Sequence, residues 1–132
     1  MSEENILLDY EFPKDLEFEP APSDVETTVK IRAVDLKHKD EGRMSVILEL
    51  PEYPNADDIF HTVWLPREDN DPKQNKRTMI ALRRFYQAFS IDYSQPIDVK
   101  QDLVGAEAWA ILTTEEWEGV TRNKIKAFTL PK

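Results

Sequence analysis

Between Val25 and Leu130, apolar and polar residues alternate in five short stretches, and only one segment between them carries helical spacing. A period of two puts successive side chains on opposite faces of a strand, so this pattern confines the chain to a small antiparallel β structure with one helix. The first stretch, Val25–Leu36, is rich in β-branched residues and alternates Val29, Ile31 and Ala33 against Lys30, Arg32 and Val34. A polar turn, Lys37–Gly42, leads to Met44–Leu50, where Val46, Leu48 and Leu50 oppose Ser45, Ile47 and Glu49, so the two stretches read as a hairpin. Pro51 and Pro54 end it, because proline has no N–H for a ladder. Asp58–Leu65 reads as a third strand, closed by Pro66.

The helical segment follows. Asp71 can accept at an N-cap, Pro72 suits the first helical position, and no Gly or Pro interrupts the chain from Lys73 to Phe89. Met79, Leu82, Phe85 or Tyr86, and Phe89 recur on one face, while Lys73, Lys76, Arg77, Arg83 and Arg84 decorate the rest. The spacing predicts an apolar face that plugs a sheet and a charged face in solvent, with a second cationic patch for binding as the alternative for the same bases. After Ser90 the sequence reads as irregular through Asp98. Ala106–Thr114 and Val120–Leu130 then read as two strands joined by a turn over Glu115–Gly119.

Three strands, one helix and two strands is the order of a five-stranded Greek-key barrel, the OB-fold, with its helix between strands three and four. An all-β class with that architecture is the expectation. A small antiparallel sheet with the helix packed on one face has the same element order, and alternation alone leaves both open.

Of 132 residues, 26 are Asp or Glu and 17 are Lys or Arg, a net charge of −9. Most of it sits before the first strand. Residues 1–24 hold eight acids and one base, Lys14, so the remaining residues form a nearly neutral body with a local charge of −2. The expected organisation is an acidic arm over residues 1–24 and an OB-fold domain over residues 25–132. Ile6, Leu7, Leu8, Tyr10, Phe12, Leu16 and Phe18 are interleaved with the arm's acids, a composition that can lie on the body or dock on a basic partner. The first residues, MSEENILLDYEF, lack a basic n-region, so no secretory signal is expected, and no apolar run is long enough to cross a bilayer. A cytoplasmic protein without a membrane partner is expected.

Little here can carry catalysis. Cysteine is absent, which excludes a thiol nucleophile and thiolate metal sites. Three glycines, Gly42, Gly105 and Gly119, cannot build a phosphate-cradling loop. His38 and His61 have no second ligand at metal spacing, so neither a metal, nor a cofactor, nor an enzyme is expected.

Binding residues are easier to find. Arg122, Lys124 and Lys126 are two apart and share a strand face, and Lys30 and Arg32 form a similar basic run on the first strand. Where the first strand pairs on both sides, these cations can converge into one stripe that tracks phosphates. The plain alternative is that strand exteriors are polar anyway and that basic side chains blunt sheet edges. On the third strand, Phe60 and Trp64 share a face opposite Ile59, His61, Val63 and Leu65. If the aliphatic row is core, the two aromatics form an exposed stacking platform, and if not, they are core themselves. Trp117, in the turn beside Gly119, is the strongest single aromatic candidate, with packing over the end of the barrel as its alternative. Trp109 can face either way.

Three features together resemble a family of small bacteriophage OB-fold proteins described as single-stranded-DNA-binding. They are the acidic, aromatic N-terminal stretch, the basic helix Lys76–Phe89 (KRTMIALRRFYQAF), and the hairpin Asp102–Phe128. The hairpin is the most specific: a Leu-Val-Gly lead-in, an apolar strand, Glu116–Gly119, then Arg122-Asn123-Lys124-Ile125-Lys126. The resemblance implies non-catalytic, largely sequence-independent binding of single-stranded DNA in phage replication or recombination, in the host cytoplasm. With it, Lys30, Arg32, Arg122, Lys124 and Lys126 are expected to neutralise phosphates, and Phe60, Trp64 and Trp117 to stack on bases. The arm is expected to compete with DNA for the basic groove or to recruit a replication or recombination protein. The rival expectation is an OB-barrel that docks on such a protein, or on a virion protein, without touching DNA.

Overall fold

Thr27, Val29 and Ile31 all point inward along the first strand and are wholly buried, on the strand that lies at the centre of the sheet. The computed structural model describes residues 5–14 and 16–131. Its strands are β1 (Glu26–Asp35), β2 (Arg43–Glu49), β3 (Ile59–Trp64), β4 (Glu107–Trp117) and β5 (Val120–Thr129), with one helix, α1 (Pro72–Ala88), between β3 and β4. The strands form one antiparallel sheet in the order β3-β2-β1-β4-β5. The expected mostly-β class with a single helix is therefore present. β1 is central and pairs with β2 on one side and β4 on the other.

Inward rows from all five strands meet in one core: Val46 and Leu48 from β2, Ile59 and Val63 from β3, Ala110 and Leu112 from β4, and Ile125 and Phe128 from β5. Each fully buried Ile, Leu or Val side chain contributes about 1.5–3 kcal/mol from removal of apolar area. The sheet is strongly curled, and the rings of His61 on β3 and Phe128 on β5 meet edge-on at 5.3 Å between centroids. Two β-bulges assist the curl, since an extra residue on one strand bends it and increases its twist. In β1, Ile31 and Ala33 oppose Leu48 and Ile47, leaving Arg32 extra. In β5, Ile125 and Ala127 oppose Leu112 and Ile111, leaving Lys126 extra.

α1 begins as its sequence dictates: Asp71 Oδ1 accepts from the Gln74 N–H at 2.8 Å, and Pro72 opens the first turn. Its docking is narrower than the spacing predicts. Only the last turns reach the core, where Phe85, Ala88 and the terminal Phe89 are buried, and Phe85 and Phe89 pack on Phe128. Met79, expected in the buried face, is 53% exposed. A one-sided apolar row needs a partner along its whole length, and the sheet meets only the C-terminal half of α1.

The stretch after Ser90 is irregular through Asp98 as expected, and a π-helical turn, Val99–Leu103, follows it, capped by the Asp98 side chain and anchored by buried Leu103. One local feature differs from the sequence expectation. The turn expected over Glu115–Gly119 is only two residues long, Glu118 and Gly119, both at positive φ (51° and 78°), so β4 continues through Trp117.

The body begins before β1. Ala21 is 2% exposed, and the Asn123 side chain accepts from its N–H at 2.8 Å and donates to its carbonyl at 2.9 Å. Of the arm, Asn5–Lys14 is exposed throughout, while Glu3, Glu4 and Asp15 lie outside the described residues, as does Lys132 at the far end. No helix among the described residues is long and apolar enough to cross a membrane.

Candidate nucleic-acid interface

The phase of β3 is set by Ile59 and Val63, which are buried, so Phe60 and Trp64 project outward at 68% and 59% exposure. Cross-strand partners on this outer face are Ile47 for Phe60, Thr62 for Ser45 and Arg43 for Trp64. Flat, exposed aromatics with an aliphatic neighbour and a nearby cation make a surface on which bases can stack. Trp109 also faces outward, 50% exposed, between Thr28 and Thr129.

The strand cations do not form the single stripe expected of them. Lys30 lies between Glu49 on β2 and Glu107 on β4, its direct neighbours across the two ladders. Arg32 Nε meets Asp58 Oδ2 at 2.8 Å. Lys124 and Arg122 share Glu115, at 3.5 Å and 4.0 Å, and Lys126 Nζ meets Asp24 Oδ1 at 2.9 Å. Along β4, Glu107 beside Lys30 and Glu115 beside Arg122 are eight residues apart, a run of about 26 Å at ~3.3 Å per residue. Lys30 and Arg122 are thus far apart along β4, and each of the five strand cations has an acid beside it. Alternation shows which residues face out, but not which strand lies alongside, and the neighbours here supply carboxylates.

Trp117 is the last residue of β4 rather than a turn residue, and is 56% exposed. The Arg122 guanidinium carbon sits 4.8 Å from its ring centroid, a cation–π contact that already occupies one face of the ring. A hollow beside it is lined by Leu16, Phe18 and Pro20 of the arm together with Asp57 and Asp58. Those acids disfavour phosphate there.

Unpaired positive charge lies instead on α1. Lys73, Lys76, Arg77, Arg83 and Arg84 are five cations on a helix with no Asp or Glu, and among the described residues none of them forms an ion pair. Between this helix and the edges of β3 and β5 runs a groove of about 760 Å³. Trp64, Arg77, Arg84, Lys126 and His61 line it, and among the described residues no carboxylate does. Burial holds the His61 imidazole below its ordinary pKa of 6.5, so it is a neutral partner there near pH 7. Guanidinium groups match phosphate oxygens with two parallel donors, which suits Arg77 and Arg84 to a sugar–phosphate chain passing Trp64. The sequence signal was available: a helix of 17 residues with five bases and no acid is lopsided even for a solvent face. The same pattern also fits an ordinary solvated helix, and only the groove beside Trp64 separates the two.

Among the described residues no three His, Asp or Glu side chains gather as metal ligands. Comparison with protein-family models and with curated proteins finds no match for this chain.

Proposed function

We propose that this chain is an OB-fold protein that binds single-stranded nucleic acid without catalysis and largely without regard to sequence. The strand order with β1 at the centre, the meeting of β3 with β5 at His61 and Phe128, and the position of α1 between β3 and β4 support the barrel. The resemblance to bacteriophage single-stranded-DNA-binding proteins favours DNA as the strand and replication or recombination as the setting. One observation carries the functional reading: the acid-free cationic helix borders a groove that contains exposed Trp64. In this reading Arg77 and Arg84 hold phosphates, while Trp64 and Phe60 stack on bases. The β5 cations act as secondary contacts, because each already has an acid beside it.

Single strands suit the site better than duplex. Stacking on Trp64 and Phe60 needs unpaired bases with free faces, and the groove is a channel beside a sheet edge rather than a helix fitted to a major groove. The net charge of −9 repels polyanions at long range. Screening at ordinary salt limits that field to about 8–10 Å, inside which the local charge of α1 governs.

A labelled oligonucleotide titration tests this. Affinity is expected to fall with salt at a log–log slope of about −0.7 per phosphate held, and Arg77→Glu with Arg84→Glu is expected to weaken binding and reduce that slope by about 1.4. No binding at micromolar protein and low salt, or a flat salt response, overturns the reading. That result leaves the protein-docking alternative, which the exposed apolar side chains of the arm favour.

A further inference from the structure

Among the described residues, two exposed apolar surfaces lack a cover, and they are complementary. One lies on α1. Met79, Ile80, Leu82, Tyr86 and Tyr93 line a groove of about 480 Å³, with Lys76 and Arg83 as the charged residues of its rim. Met79 is 53% exposed and Tyr93 46%, and the Tyr86 and Tyr93 rings stack at 6.3 Å to make one wall. The other surface is the arm. Ile6, Leu7, Leu8, Tyr10 and Phe12 are 69–86% exposed, and Asp9 and Glu11 alternate with Tyr10 and Phe12.

We propose that residues 5–14 of the arm dock on the α1 groove of the same chain, with Tyr10 and Phe12 entering between Met79 and Tyr93, and Asp9 and Glu11 meeting Lys76 and Arg83. The extended arm is then the open state of a two-state device. Three observations select this occupant. The rim of the groove is purely cationic and α1 offers no acid that compensates it, so an acidic segment is preferred over a neutral one. The arm alternates acids with large apolar residues, so each side chain class has a counterpart in the groove. The reach is also sufficient. The body holds the chain at Ala21 through Asn123 and at Glu19, whose N–H donates to the Asn55 carbonyl at 2.9 Å. Seven to thirteen residues separate Glu19 from the Phe12 to Ile6 stretch, and at ~3.3 Å each they span about 23–43 Å. A domain of this size has a radius of gyration of about 13 Å, hence a diameter of roughly 34 Å, which the outer part of the stretch spans.

Tethering makes the docking intramolecular, with an effective concentration in the millimolar range, so a weak contact is enough to populate it. The contact does not depend on the nucleic-acid reading. If both hold, the docked arm covers Lys76 and Arg83 and must leave before a strand can use them.

Because the chain has no cysteine, one label can be placed cleanly on the full-length protein. Leu8→Cys carrying a nitroxide, observed by amide NMR at low salt without any oligonucleotide, is expected to broaden the signals of Met79–Arg83 more than those of β1. The broadening should disappear in 0.5 M salt and with Arg83→Glu or Met79→Glu, which change exposed positions and keep the amide spectrum folded. Absence of selective broadening at low salt overturns the proposal. So does broadening that survives both substitutions, or broadening seen only when labelled and isotopically labelled molecules are mixed, which identifies exchange between copies.

Discussion

Asn123 ties the arm to the sheet through two hydrogen bonds. Its amide satisfies both backbone groups of buried Ala21, in addition to a longer contact with the Thr113 carbonyl at 3.4 Å. Replacing it with Leu keeps the branched shape but leaves a buried N–H and a buried carbonyl without partners. That costs about 1–3 kcal/mol, and the urea midpoint is expected to fall accordingly. Asn123→Asp keeps the acceptor and turns the donor into a charge against the Ala21 carbonyl, so it is expected to destabilise as well. His61 gives a second prediction. Burial against Phe128 disfavours its cation, and Arg77, Arg84 and Lys126 line the same groove. The folded value therefore lies below 6.5, and the unfolded chain binds the extra proton in the window between the two. Stability contributed by neutral His61 is complete above pH 6.5 and is lost as pH falls toward the folded value. Melting temperatures should show a step across that window, and His61→Phe should remove the step while carboxylate effects at lower pH remain.

At the scale of elements, the β4–β5 hairpin shows how a correct pair of strands can hide an incorrect turn. Its two-residue connection places Glu118 at φ 51° and Gly119 at φ 78°, a left-handed pair whose twist matches that of the strands. Glycine adopts this freely, whereas for Glu the left-handed region costs about 1–2 kcal/mol. Glu118→Asn is expected to raise stability by about 0.5–1 kcal/mol, since Asn tolerates that region, measured as a shift in urea midpoint at unchanged slope. Glu-Gly is a weak turn signal, and Glu115-Glu116-Trp117 breaks the apolar alternation, so the strand ends could not be read from sequence. The five strands and α1 could, because alternation and the Asp71–Pro72 start are local properties. The bulges at Arg32 and Lys126 could not, because a bulge is defined by the partner strand. At Met79 the helical spacing was right, but the extent of docking depends on how far the sheet extends beneath α1.

For the whole molecule, the question is where charge survives neutralisation. The sequence gathers cations on three elements without saying which acids stand beside them. Pairing across the sheet places Glu49, Glu107, Glu115, Asp58 and Asp24 next to the cations of β1 and β5, while α1, which no strand flanks as a ladder partner, keeps its charge. Phe60 and Trp64 were legible as an outward pair only under one of two phases, and burial of Ile59 and Val63 chooses it. The two candidate faces therefore predict different responses. If the strand passes α1 and Trp64, Trp64→Ala removes one stacking contact worth about 1–3 kcal/mol, an affinity loss of about 5- to 150-fold at low salt that leaves the salt slope nearly unchanged. Arg122→Ala with Lys124→Ala, on the far hairpin, should shift affinity far less, because those side chains exchange Glu115 for phosphate with little net gain. Oligonucleotide anisotropy on both variants over a salt series separates the outcomes. A large loss confined to the Arg122 and Lys124 variant places the strand on the β4–β5 hairpin and removes α1 from the binding surface.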